Sequence, residues 1–343
     1  MKVKNADEFY KILERKAIYP VFQPIVNLQT GDVAGYEALS RIDRHDTTLM
    51  ISDLFVIAEQ VGCVWKLEKL CRNKALKAAA NKPEHAKLFL NVDGNIIQDK
   101  SFIQGFTNRK AAKAGVPSCD IVFEITERSD IENYQILQQI MKHYADQGYE
   151  IALDDVGAGY SGLNRVVNTS PNYLKVDIEL VRDIQKHKKK EIMMEFLLHY
   201  CNETGAILIA EGIETEAELE CLCRLGVHYG QGYFLGRPDR TFKNVRNEAM
   251  LVLRRLNAVV AETVFKNKKK MHKAEKKYSK AHLNRVKNEV CDASMTRYFS
   301  GIMYNFDRMA DNCVSIAEEA CDNVAFINLD EETGKSMMER GAV

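Results

Sequence analysis

The sequence predicts an α/β chain: a TIM-like (β/α)₈ barrel with an antiparallel first strand, followed by a C-terminal α-helical appendage. Three observations predict it. Up to about residue 240, eight short apolar runs alternate with amphipathic stretches, the pattern of strands joined by helical crossovers. Only Asn27 to Asp32 separate the first two runs, too few residues for a parallel crossover. Beyond Pro238 the alternation stops, and charged, helix-patterned stretches take over.

The expected strands are Tyr19 to Val26, Val33 to Ile42, Leu88 to Val92, Ile121 to Thr126, Glu150 to Asp154, Tyr173 to Asp177, Ile207 to Glu211 and Tyr229 to Phe234. The Thr30-Gly31-Asp32 turn between the first two reads as a hairpin. Helical periodicity marks Leu54 to Ala80, Glu132 to Gln147, Lys189 to Thr204 and Glu216 to Leu225. Three further helices are expected, over Lys243 to Glu262, Lys268 to Glu289 and Ser294 to Cys321; the second is rich in lysine. The expected division is a barrel domain over 1–240, a helical segment over 241–325 and a flexible tail over 326–343.

Lys+Arg and Asp+Glu balance at 48 each, so no overall field draws a nucleic-acid polymer or an anionic membrane. Runs of about 18 apolar residues, the length of a spanning helix, do not occur. Met1 to Asp7 lacks the apolar core of a signal peptide. The nine cysteines are scattered without a CxxC pair. A cytoplasmic protein with reduced thiols and no structural zinc is expected.

The polar residues converge. Glu37, Asn91, Glu124, Asp154, Asp155, Lys175, Asp177, Glu211 and Gln231 lie late in, or just after, successive expected strands. In a parallel barrel those strand ends meet at one rim. Carboxylates gathered at one rim repel one another unless cations lie among them. Oxygen donors of this kind suit hard divalent ions, so a two-metal site is expected.

These residues carry a resemblance. Tyr36-Glu37-Ala38-Leu39-Ser40-Arg41 resembles the signature of EAL domains, the bacterial cyclic-di-GMP phosphodiesterases. Gln23-Pro24-Ile25-Val26, Asn91, Glu124-Ile125-Thr126-Glu127, Asp154 to Gly159, Lys175-Val176-Asp177, Glu211-Gly212-Ile213-Glu214 and Gln231-Gly232-Tyr233 are similar to its other motifs, in order, over about residues 8–240. The resemblance implies hydrolysis of cyclic-di-GMP to linear pGpG with two Mg²⁺ or Mn²⁺. It implies metal ligation by Glu37, Asn91, Glu124, Asp154, Asp155 and Glu211. It assigns Lys175, Asp177 and Glu211 to catalysis, with Lys175 as base or positioner. Substrate contacts fall to Gln23, Leu39, Arg41, Glu214, Gln231 and Tyr233. A regulatory, dimer-contacting loop falls to Glu127, Val156, Gly157, Ala158 and Gly159, and a homodimer is expected. Val156 and Ala158 stand where the family has Phe and Thr, which touches regulation rather than the metal set.

The last expected helix, with Phe306 to Glu318 and the upstream His282-Leu283-Asn284-Arg285, resembles part of PhoU-like proteins. That resemblance implies a possible tail metal at Asp307 and Asp311, four residues apart on one helix face. Two alternatives to turnover stay open: a catalytically silent cyclic-di-GMP receptor signalling through the tail, and a phosphate- or metal-linked interaction module.

Overall fold

The computed structural model describes residues 3–43, 47–94, 96, 99, 101–125, 134–157 and 162–325. The chain divides into two compact units between Met250 and Leu251. The first unit begins with α1 (Ala6–Arg15), β1 (Ile18–Asn27), β2 (Val33–Ile42), α2 (Ile51–Gln60), α3 (Val64–Ala78), β3 (Lys87–Val92) and α4 (Phe106–Ala114). It continues through β4 (Ile121–Ile125), α5 (Tyr134–Ala145), β5 (Glu150–Val156), α6 (Gly162–Asn168), β6 (Tyr173–Val176) and α7 (Ile178–Val181). Then come α8 (Lys188–Thr204), β7 (Ile207–Ala210), α9 (Glu216–Leu225) and β8 (Tyr229–Gly230). Helix α10 (Asn247–Lys287) crosses the boundary, and α11 (Thr296–Ala325) belongs to the second unit.

The eight strands close in sequence order. Strand β1 is antiparallel to both β2 and β8; all other neighbours are parallel. The hairpin between β1 and β2 is fixed locally. Asn27 Oδ1 accepts from the amides of Gln29 and Thr30 at 2.8 and 3.2 Å, and Gly31 takes φ +80°, which glycine adopts without a Cβ penalty.

The barrel interior holds a layer of Ile25, Phe89, Val122, Ala152, Tyr173 and Ile209. Alternation along a strand returns every second side chain to the same face. Two residues beyond Phe89, Val122, Ala152, Tyr173 and Ile209 stand Asn91, Glu124, Asp154, Lys175 and Glu211. The apolar layer is therefore the floor on which the polar rim stands. A second cluster, from Phe9 and Ile12 through Ile18, Ile42, Leu54 and Leu67, packs α1, α2 and α3 around β1 and β2.

Several boundaries differ from expectation. The helix expected over Leu54 to Ala80 is two helices, broken at Gly62 with φ +66°. The helices expected over Lys243 to Glu262 and Lys268 to Glu289 are one, because residues 239–300 contain neither glycine nor proline to interrupt them. Strand β7 stops at Ala210, where Gly212 turns the chain at φ +69°. Strand β8 is only two residues long, because Gly232 lies against the Ile213 backbone. Helix α1 lay outside the expected elements. Residues 326–343 lie outside the described residues.

A Cβ at Gly232 would sit 2.1–2.6 Å from backbone atoms of Ile213, and backbone has nowhere to yield. Gly232→Ala is expected to lower unfolding free energy by about 2 kcal/mol or more, read from urea denaturation beside the parent chain.

Candidate functional site

The Asp154-Asp155 pair poses a geometric problem, since neighbours on a strand normally point to opposite faces. The fold answers it with a β-bulge. Leu153 pairs with Leu174 and Val156 with Val176, so β5 carries one residue more than β6 in this stretch. Asp155 absorbs the extra step at φ +55°, a left-handed conformation that aspartate tolerates better than most residues. Bulges re-aim side chains in this way. Oxygens of Asp154, Asp155 and Glu211 come within 4.8 Å of one another. Across the bulge stands Lys175.

Lys175 is buried, and its ammonium sits among four acids. Its Nζ lies 2.5 Å from Glu211, 2.7 Å from Glu124, 3.5 Å from Asp154 and 3.6 Å from Glu37. Burial alone would lower its pKa. The charges of Asp154, Glu124, Glu211 and Glu37 outweigh burial and hold it well above the ordinary lysine value. Glu124 is completely buried. Burial, then the charge of Glu37, pushes its carboxyl well above the usual range against the pull of Lys175. Burial raises Glu211 to about 8. Glu37 goes the other way: burial opposes its charge, but Lys175, Gln231 and Asn91 prevail and lower its pKa.

Hydrogen bonds fix the acid from β2. Asn91 Nδ2 donates to Glu37 Oε1 at 2.9 Å, and Gln231 Nε2 donates to Glu37 Oε2 at 2.7 Å. Gln231 also donates to Gln23 Oε1 at 3.2 Å, and Gln23 donates to the carbonyl of Gly236 at 3.1 Å. Glu37, Asn91, Glu124, Asp154, Lys175, Glu211 and Gln231, seven of the expected rim residues, are thus one connected constellation, with Gln23 closing its side.

Residues expected to touch substrate or to regulate are more dispersed. Arg41 donates to the carbonyl of Ser40. Leu39 is half-buried. Glu214 pairs with Arg182 at 2.5 Å. Tyr233 is exposed beneath the Arg237 guanidinium at 4.3 Å. Asp177 Oδ1 accepts from the Glu179 amide and so caps α7. Val156 is buried, and Gly157 takes φ +109°. Glu127, Ala158 and Gly159 lie outside the described residues. In the second unit, Asp311 pairs with Lys268, whereas Asp307 approaches His272 and Glu275.

Two buried acids that hold loops of the rim, Glu218 and Glu68, were missed by the sequence reading. Glu218 accepts from the amides of Asp183, Glu214 and Thr215, tying the loop after β6 to the loop after β7. Its signal was present as Thr215-x-x-Glu218, the capping-box spacing. Glu68 accepts from the Asp93 amide at 2.6 Å and pairs with buried Arg72 at 2.8 Å, fixing the loop that leaves Asn91. No sequence spacing announces that contact, because it joins α3 to a distant strand end.

The donors suit hard divalent cations. Glu124 Oε1 and Oε2, Asp154 Oδ1 and Glu211 Oε1 are buried and accept no hydrogen bond of good geometry. Buried carboxyl oxygens without hydrogen-bond partners, gathered beside a single ammonium, suit a divalent cation.

The raised Glu211 pKa has a consequence. Between the ordinary carboxylate range and about 8, the folded chain holds a proton that the unfolded chain has lost. Stability therefore falls as pH rises through that window. Thermal melts in chelator are expected to show it between about pH 5 and about pH 8. Glu211→Gln should flatten the slope and Mn²⁺ should reverse it.

The EAL domain family matches residues 6–238, and the PhoU domain matches residues 240–320. The chain is 27% identical over 226 residues to the probable cyclic di-GMP phosphodiesterase PdeG of Escherichia coli, covering 64% of this chain and 44% of that one. It is 27% identical over 276 residues to the EAL-domain protein YkuI of Bacillus subtilis, covering 77% and 66%. It thus spans less than half the length of the E. coli relative. A standalone EAL protein of Vibrio cholerae, solved with c-di-GMP bound, superposes at TM-score 0.60 with 29% identity, covering 68% of this chain and 97% of that one. Klebsiella pneumoniae BlrP1, solved with calcium and cyclic-di-GMP, superposes at 0.61 with 26% identity, covering 67% and 58%. With the family spanning most of its length and the barrel and acid rim in place, this chain belongs to the EAL-domain family.

Proposed function

We propose that this chain hydrolyses cyclic-di-GMP to linear pGpG with two divalent cations, Mg²⁺ or Mn²⁺, in the cytoplasm. The observation that carries the reading is the complete rim: Glu37, Asn91, Glu124, Asp154, Asp155 and Glu211 stand around Lys175. Such ions, when bound, supply charge to the phosphoryl oxygens and acidify an attacking water. The chain's own part is placement. Asn91 and Gln231 hold Glu37 in one rotamer. The bulge aims Asp154 and Asp155 together. Lys175, fixed in its charged form by four acids, balances negative charge that builds at phosphorus and can position the attacking oxygen. Arg41 is proposed to fork onto a phosphodiester. Gln23, Leu39, Glu214, Gln231 and Tyr233 are proposed to hold the guanine and ribose portions, and Asp177 to order the Lys175 surroundings through α7.

The loop after Asp155 is proposed to couple the site to a homodimer. In the helical unit Asp307 and Asp311 remain proposed ligands of a tail cation, with His272 and Glu275 beside Asp307 and Lys268 competing for Asp311. The barrel domain is proposed over 1–240, the helical segment over 241–325 and the flexible tail over 326–343. A silent receptor has no use for a full donor set, which weighs against that reading.

The test incubates the chain with cyclic-di-GMP and Mg²⁺ or Mn²⁺ and follows pGpG by chromatography. Glu37→Ala is expected to lose at least about 100-fold in turnover, and Arg41→Ala to raise KM with a smaller change in kcat. Nucleotide binding without any pGpG from the parent chain would favour the receptor instead.

A further inference from the structure

The second unit, described over residues 251–325, is a hairpin of two long helices. Lys268 pairs with Asp311, while His282 meets Thr296 at 3.1 Å and stacks on Phe299 at 4.4 Å. As residue numbers rise on α10 they fall on α11, so the helices are antiparallel. Their seam is thin. Ala261, His282, Ala310 and Ala317 are its buried members, and Lys268, Glu275 and Asp307 lie along it half-buried. Small and charged residues at a seam bury little apolar area, and isolated helices need such burial to persist.

Each helix carries a second apolar stripe beside the seam. On α10 it runs through Val264, Met271, Ala274, Tyr278 and Ala281; on α11 it runs through Phe299, Ile302, Phe306, Met309, Cys313 and Ile316. Both stripes occupy the same heptad positions relative to the seam. In an antiparallel pair equivalent flanking positions fall on the same side, so the stripes merge into one band about 26 Å long. Tyr278 and Ile302 are each 55% exposed, Met309 61% and Ile316 68%.

We propose that this band is a self-association surface, on which the hairpin of a second copy docks to form a four-helix bundle. Charge selects the arrangement. Residues 251–287 carry twelve Lys or Arg and two acids, whereas α11 carries two Lys or Arg and five acids. Setting α10 against the partner's α10 would bring Lys270 and Lys277 of both copies together. Setting α10 against the partner's α11 places those lysines beside Asn305 and Asn312 and next to an acidic helix. This surface uses no residue of the catalytic rim, so the inference stands whether or not the chain hydrolyses cyclic-di-GMP.

Sedimentation equilibrium of the full chain tests it. The parent is expected to dimerise at micromolar concentration. Ile302→Glu with Met309→Glu should raise the dissociation constant on the order of 100-fold. Lys273→Ala with Lys280→Ala, on the opposite face, should leave it within about threefold. Both stripe residues are exposed, so helicity by circular dichroism should be unchanged; Met309→Lys alone, a milder change, should give the same direction. A parent that stays monomeric overturns the proposal. So does a dimer indifferent to the stripe variants, which would place association elsewhere. A monomeric parent that sediments with phosphatidylserine vesicles through the same residues would overturn it in favour of lipid.

Discussion

Mutual repulsion among acids organises this molecule. Glu37, Glu124 and Asp154, from three strands, and Glu211, just past the end of a fourth, converge on one ammonium, that of Lys175. Unscreened, that many carboxylates inside a low-dielectric rim would protonate or push the strand ends apart. Lys175 supplies one positive charge against them; burial, with the neighbouring acids added, still holds the pKa values of Glu124 and Glu211 above the usual range. The site is built to remain short of positive charge, which is the condition under which divalent cations bind where monovalent side chains do not suffice.

The supporting structure serves that convergence. The apolar layer two residues below the rim sets the height of Asn91, Glu124, Asp154, Lys175 and Glu211. Gly35 lies under Glu37 for a steric reason: a Cβ there would come within 2.8 Å of Phe89, so the floor is filled from the neighbouring strand. Glu68 and Glu218 then hold the loops that leave the rim. Both are buried acids accepting backbone amides, a use of charge unlike that of the site itself.

Much of this was legible from residue order. An apolar residue with an acid, amide or lysine two places later is the period of a strand that points first into a core and then to its mouth. The short Asn27–Asp32 link announced the antiparallel β1, since no crossover fits in it. Less visible were features that depend on a single residue or on distance in sequence. Gly62 breaks a helix that periodicity alone would run through. The capping role of Asp177 follows from where β6 ends, and the Glu68 contact from how α3 lies on the barrel. In the second unit, α11 shows two adjacent apolar stripes, and a sequence cannot say which of them the hairpin covers.

The bulge in β5 also bears on how this site can be lost. A substitution at Asp155 removes one donor and leaves the strand in phase. Deleting the codon does more: the extra residue disappears, β5 regains regular alternation against β6, and Val156 and Gly157 each move back one place. One heritable event would then abolish the paired carboxylates and rephase the loop that follows them. A lineage shedding catalysis by that route would keep every other rim residue intact, so that counting conserved acids would mistake it for an enzyme.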